Sequence, residues 1–212
     1  MLTPALLHGT RWWLDLDHGE SARVAPAPGA RPMPADGVVC RLGGVSGAEL
    51  PQVRAEDRDY AAAELTAFLL AWLDACRCPV LNRPVAGSLN GPPWHPEQWA
   101  LAAMRVGLAV ATVRRRIAFA STSPELGTPC QPTKLPASVA YVSVVGDRWF
   151  GPVHESLGRR LCDLARAART PLLAATVEGA GAAGVVRDIS AWPDVSDPAV
   201  ADAVVAALGG QR

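Results

Sequence analysis

Lysine is almost missing from this chain of 212 residues: nineteen of its twenty basic residues are arginine, and Lys134 stands alone. An excess of charge is missing too, since twenty acidic residues bring the formal net charge to zero. Nucleic acid and anionic membrane surfaces both select a basic excess, so neither is expected as a partner. No apolar run reaches the length of a bilayer span. The N-terminal MLTPALLHGTRWW has neither a basic n-region nor a clean apolar core. No signal peptide is therefore expected, and the expected location is cytoplasmic. The five cysteines (Cys40, Cys76, Cys78, Cys130, Cys162) are odd in number and scattered through apolar segments, as reduced, mostly buried thiols would be. Cys76-Arg77-Cys78 is a CxC, but no second Cys/His pair has zinc-site spacing. His8, His18, His95 and His154 show no metal-ligand spacing, and Ser88, Ser143 and Ser156 lie outside any GxSxG elbow.

What is present is an alternation of strand and helix patterns. RWWLDLD, followed by His18-Gly19 and SARVAP, predicts an N-terminal hairpin. A Pro/Gly-rich connector over residues 26–37 leads to a short buried strand over 37–42. Ala61, Leu65, Phe68, Leu69, Trp72, Leu73 and Cys76 recur at helical spacing, predicting a helix over 56–76, and a strand is expected over 78–82. Strand, helix, strand in that order suggests a parallel pair joined by a crossover. Pro96 suits a first helical position and Gly107 a helix stop. A strand over 112–121 and a proline-rich loop over 123–136 follow. Two strands around Gly146-Asp147, an amphipathic helix over 154–169, strands over 172–177 and 185–189, and a helix over 198–208 complete the chain.

Some residues invite a chemical reading. GAGAAG, residues 179–184, resembles a dinucleotide-binding loop, but a strand follows it instead of a helix, so a hairpin loop is expected. Arg114-Arg115-Arg116 reads either as a solvated strand edge or as a site for an anionic ligand or acidic peptide. Arg41, just past a strand end, stands where open α/β sheets place ligand contacts. His95 and Glu97 could pair as acid and base, with no nucleophile in a known arrangement beside them. The seven tryptophans suit either an interface or core and loop packing.

The order of segments resembles that of RimK-type and ribosomal-peptide-maturation ATP-grasp ligases. Val80-Leu81-Asn82-Arg83-Pro84 is similar to the family's VNxP segment. His95-Pro96-Glu97-Gln98-Trp99, with Ala102, Gly107-Leu108, Val110 and Thr112, is similar to the helix that follows it. Asp57-Arg58-Asp59-Tyr60-Ala61 with Glu64 resembles the helix before that segment. Val144-Val145-Gly146-Asp147-Arg148-Trp149-Phe150 resembles its VVGDxVFA hairpin. Val186-Arg187-Asp188-Ile189-Ser190-Ala191-Trp192-Pro193 stands where the family has its metal-binding EVNPxP strand. The resemblance implies an α/β fold in two parts. A pre-ATP-grasp (Rossmann-like) domain would cover residues 1–90, and a truncated, reduced ATP-grasp-like α+β domain residues 91–212.

The departures from the family carry the functional expectation. Phosphoryl transfer needs cations on the phosphates and oxygen ligands on magnesium. The family's first lysine aligns with His95, which is shorter and mostly neutral at pH 7. The interval from Ser121 to Tyr141 is too short for the family's phosphate-covering loop, second lysine and hinge strand, and Lys134 sits in a proline-rich loop. Glu178 stands near an expected metal-ligating Asp, and Asp188 and Ser190 replace the family's Glu and Asn, leaving a poor hard-cation site. The expectation is a degenerate, non-catalytic ATP-grasp-like accessory protein in a bacterial biosynthetic or maturation pathway. It would recognise a peptide, a metabolite or a partner enzyme, as a homo- or hetero-oligomer. No catalytic residue, metal or cofactor is assigned. His95, Glu178, Asp188 and Ser190 mark the degenerate nucleotide site, and Arg41, Arg114, Arg115 and Arg116 a ligand or peptide site. The alternative is an ATP-dependent carboxylate–amine ligase that uses Mg-ATP, with a minimal site or one completed by a second subunit.

Overall fold

A computed structural model describes residues 10–15, 21–25, 29–113, 139–179 and 181–209. The alternating N-terminal segment forms the antiparallel pair β1 (Arg11–Asp15) and β2 (Ser21–Ala25), with Trp13 opposite Arg23. Helix α1 (Arg58–Asp74) is rich in Ala and Leu and free of Gly and Pro, a composition that costs a helix little. Residues 55–57 form a 3-10 turn rather than the first turn of α1, and put Glu56 and Asp57 at its positive end. Ala62, Leu69, Trp72 and Leu73 are its buried face. Trp72 fastens the hairpin: its ring meets Trp12 edge-on at 4.9 Å, and its indole N–H donates to the Arg23 carbonyl at 3.0 Å.

Strand β3 (Val38–Val39) pairs in parallel with β4 (Val80–Leu81), so α1 is the crossover the segment order suggests. Both strands are shorter than expected, two residues each instead of the predicted spans 37–42 and 78–82. The reason lies at the end of β4. Asn82 turns out of the strand at φ 56, and Pro84 has no N–H to continue a ladder.

The later elements are α2 (Pro96–Arg105), β5 (Ala109–Val110), β6 (Val139–Val145), β7 (Arg148–Phe150), α3 (Glu155–Ala167), β8 (Leu172–Glu178), β9 (Val185–Ser190) and α4 (Pro198–Gly209). One sheet holds their strands in the order β5-β9-β8-β6-β7, with only β5 and β9 parallel. Strands β8 and β9 are consecutive and pair antiparallel, and Gly146 supplies the positive φ of 61 for the β6–β7 turn. Helix α2 stops at Gly107, φ 78, whose N–H reaches the Met104 carbonyl while Leu108 N–H reaches Ala103. Of the strand expected over 112–121, only residues 112 and 113 are described, and neither is in a strand. The ladder with β9 uses Ala109 and Val110, and Ala111 N–H bonds the Val186 carbonyl. Residues 114–121, the loop expected over 123–136, Cys130 and Lys134 lie outside the described residues.

Period-two alternation divides this sheet between two cores. Val142, Val144, Leu173, Ala175 and Val177 pack with Leu157, Leu161 and Leu164 of α3. Val145 and Leu172 face the other way, onto Val200, Ala203 and Val204 of α4 and onto Leu81 of β4. That second cluster joins the short parallel pair to the five-stranded sheet. No helix among the described residues is long and apolar enough to cross a membrane.

Gly158 of α3 lies flat against Trp149, and a Cβ there would overlap the indole. Gly158→Ala is expected to destabilise the chain by about 1–3 kcal/mol in chemical denaturation. Gly181→Ala, whose Cβ meets nothing within 4 Å, should leave stability unchanged or slightly raised.

The described thiols are buried or half-buried. Burial first, then Cys78 beside it, pushes Cys76 from 9.0 up to about 12. Burial, then Asp147 and Asp163, pushes Cys162 up to about 11. The folded state therefore holds these protons more tightly than the unfolded chain. Their contribution is complete below the unfolded value and is lost as pH rises through the folded ones. Unfolding free energy should stay level up to about pH 8 and fall between about 9 and 11. Cys162→Ala should flatten that fall; an unchanged slope would contradict the assignment.

Candidate functional site

The site is built on two asparagines of the segment that leaves β4. Asn82 is wholly buried, and its amide makes three hydrogen bonds to distant backbone. Nδ2 donates to the Leu172 carbonyl at 2.8 Å and to the Ala191 carbonyl at 3.3 Å, while Oδ1 accepts from Leu172 N–H at 2.8 Å. The start of β8 and the residue after β9 are thereby fixed to the end of β4. The chain then turns back through Val85 and Ser88, which exchange backbone bonds of 3.0 and 2.9 Å. Leu89 N–H is held by the Gly43 carbonyl beyond β3. Asn90, 4 % exposed, donates its Nδ2 to the same Ala191 carbonyl at 3.1 Å. Its Oδ1 is buried and has no partner.

Asn90 also lines a cleft of about 280 Å³, whose walls include Gly43, Pro93, Trp94, Ser190 and Trp192. No lining residue is charged. Trp94 is set by an edge-on contact with Trp99 at 4.7 Å. Trp192 is set through Tyr141, whose hydroxyl donates to the Trp192 carbonyl at 3.2 Å and accepts from Asp194 N–H at 3.1 Å. An uncharged, indole-walled recess suits a neutral group with apolar surface.

The residues singled out in the sequence fall around this cleft in different ways. Ser190 lines it, with its Oγ 3.4 Å from Trp192 N–H. Asp188 does not line it. It borders a neighbouring crevice of about 20 Å³, beside Pro96 and Val110, with Trp99 and Ile189 shared between the two spaces. A volume of that size holds about one water. Glu178 is held by Arg187 across the β8–β9 pair, with Nε at 2.7 Å from Oε2. His95 is exposed at the start of α2, where its backbone N–H donates to Gln98 Oε1 at 2.9 Å, and it lines neither space. Arg41 spends its guanidinium on the Pro193 carbonyl, with Nη1 at 2.6 Å. In that same segment the Ser196 N–H bond, aided by the Arg41 charge, holds the Asp194 carboxyl below its usual range. Arg114, Arg115 and Arg116 lie outside the described residues.

Among the described residues no group of three His, Cys, Asp or Glu side chains is placed to hold a metal. Glu178 is already paired with Arg187, and Asp188 borders the small crevice instead. Asn90 is the residue the sequence reading passed over. Before Gly91 it reads as a turn former, and nothing in the local pattern marks it as buried.

No family profile and no curated protein sequence matches the chain. Solved structures do match. The ATP-grasp ligase PsnB, complexed with a minimal precursor, Mg and ADP, superposes with a TM-score of 0.59 at 14 % identity, over 94 % of this chain and 86 % of that one. PsnB with precursor peptide PsnA2 and AMPPNP gives 0.58 at 16 % identity, over 94 % and 85 %. The fold is ATP-grasp ligase-like. At such identity the likeness is one of architecture, and the ATP-grasp-like chain has its own set of side chains at the cleft.

Asn82→Ala would strand the Leu172 N–H and remove donors from two carbonyls, at an expected cost of about 3 kcal/mol. Thermal denaturation should then show a fall of roughly 6–12 °C. Asn82→Gly relaxes φ but loses the same bonds. It should stay close to the alanine variant; a glycine variant as stable as the parent would show that backbone strain, not the amide, sets the cost.

Proposed function

We propose that this ATP-grasp-like chain is a non-catalytic binding protein, an accessory that recognises a peptide or small metabolite in a bacterial biosynthetic or maturation pathway. The observation that carries the reading is the cleft beside Asn90: its walls are uncharged and include two indoles. Polyphosphate is a poor occupant of such a recess, because desolvating its charge without a cation costs far more than the contacts return. A peptide amide suits it, being neutral and carrying an N–H. The PsnB structures bound to precursor peptides lend the peptide class support. A pre-ATP-grasp-like domain over 1–90, a truncated ATP-grasp-like domain over 91–212 and a cytoplasmic location belong to the same reading.

The second reading is an ATP-dependent carboxylate–amine ligase completed by another subunit. It is favoured by the Mg and ADP in one PsnB complex and by the exposed carboxylate of Asp188. Mg-ATP separates the two. On the binding-protein reading, millimolar Mg-ATP or Mg-AMPPNP leaves the melting temperature within about 1 °C of the unliganded value. A rise of several degrees that Asp188→Ala abolishes would overturn that reading in favour of the ligase.

A further inference from the structure

A second space, separate from the Asn90 cleft, runs along β4 and is of a different chemical kind. It is a groove of about 960 Å³. One wall is the chain from Arg77 to Leu81 and from Arg83 to Val85. The other is the β6–β7 turn and the C-terminal end of α3. Four guanidiniums line it, Arg77, Arg83, Arg166 and Arg169, against the single carboxylate of Asp147. Asp147 and Asp163 are both spent on Arg166, at 2.7 Å each. Arg83 and Arg169 have no carboxylate within 4 Å among the described residues. In a chain of zero net charge, Arg83 and Arg169 bring positive charge to a groove lined with Pro, Val, Leu and Ala.

The position of Arg169 argues against a general solvated face. It follows α3 in the left-handed region, φ 53, at the stop where Thr170 N–H closes back on the Ala165 carbonyl. Glycine or asparagine is usual there, and a long side chain costs about 1–2 kcal/mol of backbone strain. The negative end of the α3 dipole accounts for a cation at Arg166 or Arg169, but Arg83 belongs to another segment and faces the same groove.

We propose that this groove docks an extended acidic segment of a partner protein. Its carboxylates would meet Arg83 and Arg169, and its aliphatic side chains the apolar floor. Guanidinium forks match carboxylates in pairs. A nucleic acid would find the charges but would have no use for the apolar floor. This inference stands independently of the Asn90 cleft and of whether Mg-ATP binds.

The test uses the full chain and fluorescein-labelled peptides of alternating Glu and Val or alternating Lys and Val, read by fluorescence anisotropy. The Glu-Val peptide should bind, more weakly as salt rises, and the Lys-Val peptide should not. Arg83→Glu should cost roughly tenfold or more in affinity. Arg169→Gly should lower affinity while leaving the melting temperature equal or higher, because glycine accepts the left-handed φ without strain. That separates lost binding from lost folding. No binding of the Glu-Val peptide, equal affinity in both variants, or tighter binding of a labelled single-stranded oligonucleotide through the same arginines would each overturn the proposal.

Discussion

The amide of Asn82 is the constraint on which the arrangement turns. Ninety residues and more separate it in sequence from its partners, yet one side chain satisfies both the N–H and the C=O of Leu172 and adds a bond to Ala191. A buried amide has a donor group and an acceptor, and here both ends are used, so burial costs little and disruption costs much. Because Asn82 also stands at positive φ, the same residue ends β4, turns the chain and anchors the turn to the second sheet. Leu81, one position earlier, extends that anchoring as apolar packing against Val145 and Leu172.

Asn90 repeats the device with a different outcome. It shares the Ala191 carbonyl with Asn82, which orients its amide, but its Oδ1 has nothing to accept. Charges, by contrast, are kept outside this region. Arg187 neutralises Glu178, Arg41 caps the Pro193 carbonyl, and the remaining ion pairs lie on exposed helix and loop surfaces where each contributes little to stability. The chain thus has two separate chemistries: a neutral recess at the end of β9, and a cationic groove along β4.

Much of the fold was legible because it is written in local periodicity. Leu157, Leu161 and Leu164 recur at helical spacing, Val142 and Val144 at strand spacing, and Gly146-Asp147 announces the hairpin between β6 and β7. The order of segments carried the likeness to ATP-grasp ligases, which the superposition on PsnB bears out at the level of architecture. Strand lengths were not legible. Whether Cys40 to Leu42 extend β3 depends on how many residues β4 offers as partners, a property of a segment about forty positions further along the chain. Arg41 likewise reads as a ligand contact from its place after a strand, whereas its hydrogen bond to Pro193 exists only because the post-β9 segment folds over it.

The sequence alone determined the element types, the α/β class and the scarcity of lysine, because these depend on residue identity and on spacing within a segment. Tertiary structure alone decided which asparagine is satisfied and which is left with an unmet acceptor, and that Arg83 and Arg169 share one groove. Burial and charge proximity are relations between segments far apart in the chain. No local pattern records them, and they exist only once the two sheets are fastened together at Asn82.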